Sequence, residues 1–190
     1  GQVMKSVIES NNIDASKIDE VILGNVLPAG QGQGIARQAA LYAGVPSEVP
    51  AYSINIICGS GMKTVMTAYS QIKGEMADLI VAGGVEVMSQ APYVTDASAR
   101  TGNKMGEMNL KDSLVHDGLT DAFNNYHMGI TAENIADKHN ITREQQDNFA
   151  IRSQSRAIRA VDEGRFKDEI VPIEVKTKKA VTIFDTDEYP

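Results

Sequence analysis

The chain has 190 residues, 42% of them hydrophobic and 23% charged, which places it among globular proteins long enough to bury a sizeable core. A formal net charge of −7, with no basic run interleaved with aromatics, opposes binding to nucleic acid phosphates. One cysteine excludes an internal disulfide and fits a reducing compartment, the cytosol by default; the longest apolar run, Leu79 to Val85, falls far short of the about 18 residues of a membrane span. No basic-then-apolar leader opens the chain, so neither export nor membrane anchoring is expected.

Val3, Met4, Val7 and Ile8 recur at helical spacing and run into Asn11-Asn12, which predicts a first helix. Val21 to Leu27 then reads as a strand closed by Pro28. Gly30-Gln-Gly-Gln-Gly34 lacks both the sixth-position glycine of a dinucleotide fingerprint and the Lys-Ser/Thr of a P-loop, so a turn is expected. Ile35 to Tyr42 follows as a short amphipathic helix and Ala51 to Ile57 as a second strand. Val65, Ala68, Tyr69 and Ile72 mark one face of a helix from near Ser60 to about Gly74, and Ala77 to Gly83 reads as a buried strand. Strands separated by helices of this length imply a parallel sheet, hence an α/β fold. Gly83-Gly84 marks close backbone approach, either in the core or beside the cysteine.

After Val87 the pattern changes. From Tyr93 to Ser113 the chain is rich in Gly, Asn, Lys, Met and Asp without a sustained period, and loops of this length are usually functional or interfacial. His116 falls in a polar loop and His139 at a helix end, both read as solvated. Thr142-Arg-Glu-Gln145 has capping-box spacing, and Ala150, Ala157, Ile158 and Val161 make an apolar stripe on the helix that follows. Ile170 to Val175 and Val181 to Phe184 are expected as short strands, with Lys176, Lys178 and Lys179 on a solvated face.

The lone cysteine lies in NIICGSGMKTV. By itself, a free Cys58 beside Ile56-Ile57 reads as a small buried hydrophobe. Its neighbours point the other way. Gly59-Ser60-Gly61 removes bulk where a strand gives way to a helix, which is the form of a nucleophile elbow. A thiol there faces unpaired backbone N–H groups and the positive end of the helix dipole, which favour a thiolate and can also stabilise an oxyanion. The helix-end field is worth at most about 2 kcal/mol, so a base is still needed. Asn55, three residues earlier, is expected to satisfy buried backbone.

NIICGSGM, followed by ADLIVAGGVEVMSQAPY, DGLTDAFNNYHMGITAENIA and GRFKDEIVP, resembles the thiolase family, and the resemblance runs from EVILGNVLPAGQGQGIARQAA to DTDEYP. The YHMG form at Tyr126 to Gly129 is similar to that of the biosynthetic acetoacetyl-CoA thiolases. What the resemblance implies is a layered α/β fold, its mixed and largely parallel sheet flanked by helices. Residues 1–88 would form the core, with its first strand missing, and 89–190 most of an inserted loop domain. Cys58 would be the acyl-accepting nucleophile in a reversible, ping-pong condensation of two acetyl-CoA to acetoacetyl-CoA and CoA. Leu119, His127 and Met128 match positions that line the CoA side of the site, with no cofactor beyond the CoA thioester substrates. Each also has a plainer reading: Leu119 as an apolar residue, Met128 as adaptable packing, His127 as a cap or packing group. The 93–113 excursion matches the segment that joins dimers into tetramers.

The same resemblance implies pieces that this sequence lacks. The family's histidine base in a Gly-His-Pro stretch, its second cysteine and its water-ordering asparagine have no counterpart here, so the chain is expected to be an inactive fragment of the enzyme. Three other readings stay open: a degradative 3-ketoacyl-CoA thiolase, a condensing enzyme acting on acyl-carrier substrates, and a non-catalytic assembly or redox-responsive module whose thiol is a sensor.

Overall fold

The computed structural model describes residues 1–178 and 180–190; Lys179 of the basic run lies outside them. The chain forms two compact units, Gly1–His127 and Met128–Pro190.

In the first unit, β1 (Glu20–Gly24) is the central strand of a three-stranded sheet with β2 (Ala51–Ile54) on one side and β3 (Ile80–Gly84) on the other, all parallel. Side chains alternate along β1. Val21 and Leu23 join the main core with Met4 and Ile8 of α1 (Gln2–Ser10) and with Ala36, Ala39 and Ala40 of α2 (Ile35–Tyr42). The intervening Ile22 is fully buried, and Gly24 on that same side meets the start of α3 (Ser60–Lys73). Helices therefore cover both faces of the sheet, as the βαβ pattern predicts.

All three strands are shorter than their apolar runs, because side chains take over the backbone at their ends. β1 stops at Gly24 and not at Leu27: the N–H groups of Val26 and Leu27 donate to the Glu86 carboxylate, at 2.8 and 3.0 Å. β2 stops at Ile54 because the Asn55 side chain accepts the Ile57 N–H. β3 starts at Ile80 and not at Ala77, since the Asp19 carboxylate accepts from Asp78 and Leu79 N–H, at 2.7 and 2.9 Å. β3 is also only half-buried where a buried strand is expected.

The face that α3 buries differs from the one its large apolar residues suggest. Ser60, Thr64 and Ala68 are buried, while Val65, Tyr69 and Ile72 are exposed. Small residues are needed because α3 approaches a sheet edge built from glycines. The Thr64 hydroxyl, completely buried, lies 2.7 Å from the Gly61 carbonyl and 3.1 Å from that of Gly83, tying helix to β3.

The glycine-rich stretch is the expected turn. Gly30, Gly32 and Gly34 all have positive φ, and the Gln38 amide donates to the carbonyls of Gln31 and Gln33 at 3.0 and 2.9 Å, lacing the loop to α2. The 93–113 excursion is not wholly irregular. A two-residue antiparallel pair, β4 (Tyr93–Val94) with β5 (Lys111–Asp112), closes its base, and a short helix α4 (Ser98–Thr101) lies within it. Ser113 pins the closure, its hydroxyl donating to the Pro92 carbonyl at 2.5 Å. His116 lies in helix α5 (Ser113–Gly118) and not in a loop; it remains exposed, 2.6 Å from the Asp117 carboxylate.

The second unit holds α6 (Met128–His139), α7 (Arg143–Asp162) and an antiparallel hairpin of β6 (Ile173–Lys176) and β7 (Val181–Phe184). α7 begins with the full capping box: Thr142 Oγ1 accepts the Gln145 N–H at 3.2 Å and Gln145 Oε1 accepts the Thr142 N–H at 2.8 Å. Of its expected stripe, Ala157 and Val161 are half-buried, whereas Ala150 and Ile158 are exposed.

Candidate active site

The C-terminal ends of the three parallel strands meet at one edge of the sheet, the usual place for a site in such folds. β2 delivers Cys58 there. Asn55 Oδ1 accepts the Ile57 N–H at 2.9 Å, an Asx turn that bends the chain out of the strand. Ile57 is thereby held at φ +57°, a left-handed conformation that is a true outlier for a β-branched residue and costs on the order of 1–3 kcal/mol. Ser60 braces the turn from the other side: its hydroxyl accepts the Ile56 N–H at 3.0 Å and donates to the Ile57 carbonyl at 2.6 Å. Cys58 follows, exposed, one residue before Gly59, the N-cap of α3.

No side chain caps α3. The Ser60 N–H is taken by the Ile57 carbonyl at 3.0 Å, and the field of the helix start, together with the other first-turn donors, lies next to Cys58 in the chain. The bulk that had to be removed lies mainly elsewhere than in Gly59-Ser60-Gly61. A Cβ on Gly61 meets nothing within 4 Å, but one on Gly24 would lie 2.6 Å from the Gly61 nitrogen and 2.7 Å from the Ser60 carbonyl carbon. Gly24 is what lets the elbow sit on the sheet. Gly84 is close as well, a Cβ there falling 3.9 Å from Gly61 Cα.

A polar knot that sequence reasoning missed joins the strand ends. Asn25, only 3% exposed, donates from Nδ2 to the Val85 carbonyl at 3.1 Å and to Glu86 Oε1 at 2.9 Å. Its own Oδ1 is buried without a partner among the described residues. The opposite amide orientation would set that oxygen against a carbonyl and a carboxylate, so the knot fixes the side chain. From the Asn25–Leu27 segment, the Val26 carbonyl accepts Asn55 Nδ2 at 3.3 Å. Only the partial apolar-to-polar break at Asn25 and Glu86, each just past a strand, signalled this arrangement.

The remaining predicted residues lie further along. Leu119, half-buried, caps the end of α5, its N–H donating to Val115. Thr120 and His127 form an antiparallel bridge, and the Asp121 N–H donates to the Tyr126 carbonyl at 2.9 Å, which brings Leu119 and His127 to the same closed turn. His127 is exposed and is itself engaged. Met128 opens α6 in the second unit, with the Thr131 hydroxyl 4.0 Å from its sulfur. Among the described residues no group of three or more His, Cys, Asp or Glu is gathered to hold a metal ion, and no helix is long and apolar enough to cross a membrane.

With its parallel sheet, its elbow and its single cysteine, the chain belongs to the thiolase family: its residues 1–190 match the family profile "Thiolase, N-terminal domain". It is similar to the acetyl-CoA acetyltransferase of Pseudomonas aeruginosa, 54% identical over 189 residues, which make up 99% of this chain and 48% of that protein. The acetyl-CoA acetyltransferase of Syntrophomonas wolfei is 53% identical over 190 residues, again 99% of this chain and 48% of the relative. The crystal structure of the Bacillus anthracis acetyl-CoA acetyltransferase superposes with a TM-score of 0.94 at 37% identity, covering 100% of this chain and 48% of that one. The chain thus spans about half the length of the relatives it matches.

Proposed function

We propose that the intact protein is an acyltransferase that condenses two acetyl-CoA into acetoacetyl-CoA and CoA, with Cys58 as its nucleophile. The observation that carries this reading is the geometry at Cys58: an exposed thiol on a strained turn at the sheet edge, one residue ahead of an uncapped helix. The names of the relatives supply the substrate class. The Cys58 thiolate attacks the carbonyl carbon of one acetyl-CoA, the carbon–sulfur bond to CoA breaks, and CoA leaves with a proton. Backbone N–H groups at the start of α3 are suited to the negative oxygen that forms in this step. A second acetyl-CoA, deprotonated at its methyl carbon, attacks the acetyl group, and the Cys58 sulfur departs. Leu119, His127 and Met128 would contact the CoA portion, His127 as a wall residue and not as the base. In the same reading, residues 1–88 are the core, 89–190 belong to the loop domain, and the 93–113 excursion serves assembly into tetramers. The single thiol supports a reducing compartment such as the cytosol.

The test is incubation of the intact protein with acetyl-CoA followed by intact-mass measurement. An added acetyl group on Cys58 is expected, and Cys58→Ser, whose hydroxyl is far less ionised, should gain none while keeping its fold. CoA exchange retained in that variant would sink the assignment. An acyl-length series on the same protein separates acetyl transfer from degradative long-chain thiolysis.

A further inference from the structure

We propose that Asn55 is a positioning residue for the Cys58 turn, and that Glu86 holds Asn55 in place through the Asn25–Leu27 segment. The inference rests on the reading of Cys58 as the acyl acceptor. It concerns how one side chain sets the shape of the nucleophile's backbone, a role that no relative's name conveys.

The bonds form one continuous path. Glu86, at the end of β3, accepts three donors from the end of β1: Val26 N–H at 2.8 Å, Leu27 N–H at 3.0 Å and Asn25 Nδ2 at 2.9 Å. A single carboxylate thus sets the path of the chain leaving β1. The Val26 carbonyl, aimed by those bonds, accepts Asn55 Nδ2 at 3.3 Å. With its amide nitrogen anchored there, Asn55 can offer only its oxygen to the turn, and that oxygen accepts the Ile57 N–H at 2.9 Å. This bond opposes relaxation of Ile57 from φ +57° back to the extended conformation that a β-branched residue prefers.

The consequence for chemistry is geometric. If Ile57 returns to extended backbone, Cys58 rotates away from the first turn of α3, and its sulfur no longer stands where the attacked carbonyl oxygen can meet those N–H groups. A misplacement of about 1 Å is enough to cost on the order of a hundredfold in rate. Ser60 alone does not replace Asn55, because it holds the Ile56 N–H and the Ile57 carbonyl but not the Ile57 N–H.

The experiment uses the intact protein and three variants. Asn55→Ala removes both bonds; Asn55→Ser keeps a short oxygen able to accept from the N–H two residues on; Glu86→Gln removes the charge and one acceptor from the anchor. Two readouts are taken: single-turnover acetylation of Cys58 across acetyl-CoA concentrations, and deuterium uptake of the peptide spanning residues 55–60. Asn55→Ala is expected to slow acetylation about tenfold to a hundredfold at saturating acetyl-CoA with an unchanged half-saturation concentration. It should also hasten deuterium uptake severalfold, and Asn55→Ser should recover most of both. Glu86→Gln should raise uptake in the same peptide, although Glu86 itself lies outside it, and the double variant Asn55→Ala with Glu86→Gln should be no slower than Asn55→Ala alone. Uptake unchanged in Asn55→Ala, a loss confined to the half-saturation concentration, or equal losses in Ala and Ser would overturn the proposal. If the unaltered protein takes no acetyl group, the functional reading fails; the uptake arm still decides whether Asn55 and Glu86 hold the turn.

Discussion

A single hydrogen at Gly24 decides whether α3 can reach the sheet. The atoms that a Cβ would strike, at 2.6 and 2.7 Å, are backbone atoms of Gly61 and Ser60, which cannot swing aside as a side chain does. Gly24→Ala should therefore push the start of α3 off the sheet and cost about 1–3 kcal/mol, as overpacking does. Thermal unfolding should show a midpoint several degrees lower, and acetylation of Cys58 should slow with it. Gly61→Ala is the control. A Cβ there meets nothing within 4 Å and replaces a helical glycine, so an unchanged midpoint or a gain of about 0.5–1 kcal/mol is expected. Equal losses in the two variants would show that the close approach at Gly24 is not what limits the elbow.

At the scale of elements, the boundaries legible in the sequence are those closed by neighbours along the chain. The capping box at Thr142, the helix from Ile35 to Tyr42 and the strand from Val181 to Phe184 lie where local spacing predicts them. Thr142→Ala should lose the cap and cost about 1 kcal/mol, seen as faster amide exchange in the first turn of α7. Strand ends were not legible, because what ends them comes from far along the chain: Glu86 reaches back to Val26, and Asp19 reaches forward to Asp78 and Leu79. In the run Val21 to Leu27 the break at Asn25 is the one local sign of that competition, and it does not say which distant group ends the strand. At the site, Cys58 and its glycines were legible as punctuation, whereas Gly24 and Glu86 acquire meaning only once β1 and β3 pair. Of the α3 face expected from the sequence only Ala68 is buried; Ser60 and Thr64 look neutral until a glycine edge requires small partners.

Asp19 adds a pH dependence at this same scale. The N–H groups of Leu79 and then Asp78 stabilise its ionised form and hold its carboxyl below the ordinary value of 3.8. A carboxyl depressed on folding contributes stability that is present above its unfolded pKa and is lost as pH falls through the folded value. Denaturation measured from about pH 5 downward, spanning the unfolded aspartate value of about 3.9, should therefore show the native chain losing stability more steeply than Asp19→Asn, which has no proton to gain. Parallel curves would remove Asp19 from the account.

On the scale of the whole molecule, α3 leaves Met62, Val65, Met66, Tyr69 and Ile72 exposed, a large apolar face on one helix. Relatives of this family carry as much chain again, whereas a polypeptide of these 190 residues alone has to leave that face in water. Such a polypeptide is expected to self-associate, and Met66→Lys with Tyr69→Lys should shift it toward monomer in sedimentation velocity. A monodisperse monomer without those changes would contradict the expectation. The order of the sheet carries a second consequence, one of timing. Asn25 and Glu86 stand 61 residues apart, so at about 5–20 residues per second a ribosome delivers the second roughly 3–12 s after the first. Cys58 itself precedes Glu86 by 28 residues, so for roughly 1–6 s of that interval a nascent chain carries Cys58 without the carboxylate that anchors its turn, and the anchor is complete only when the end of the third strand arrives.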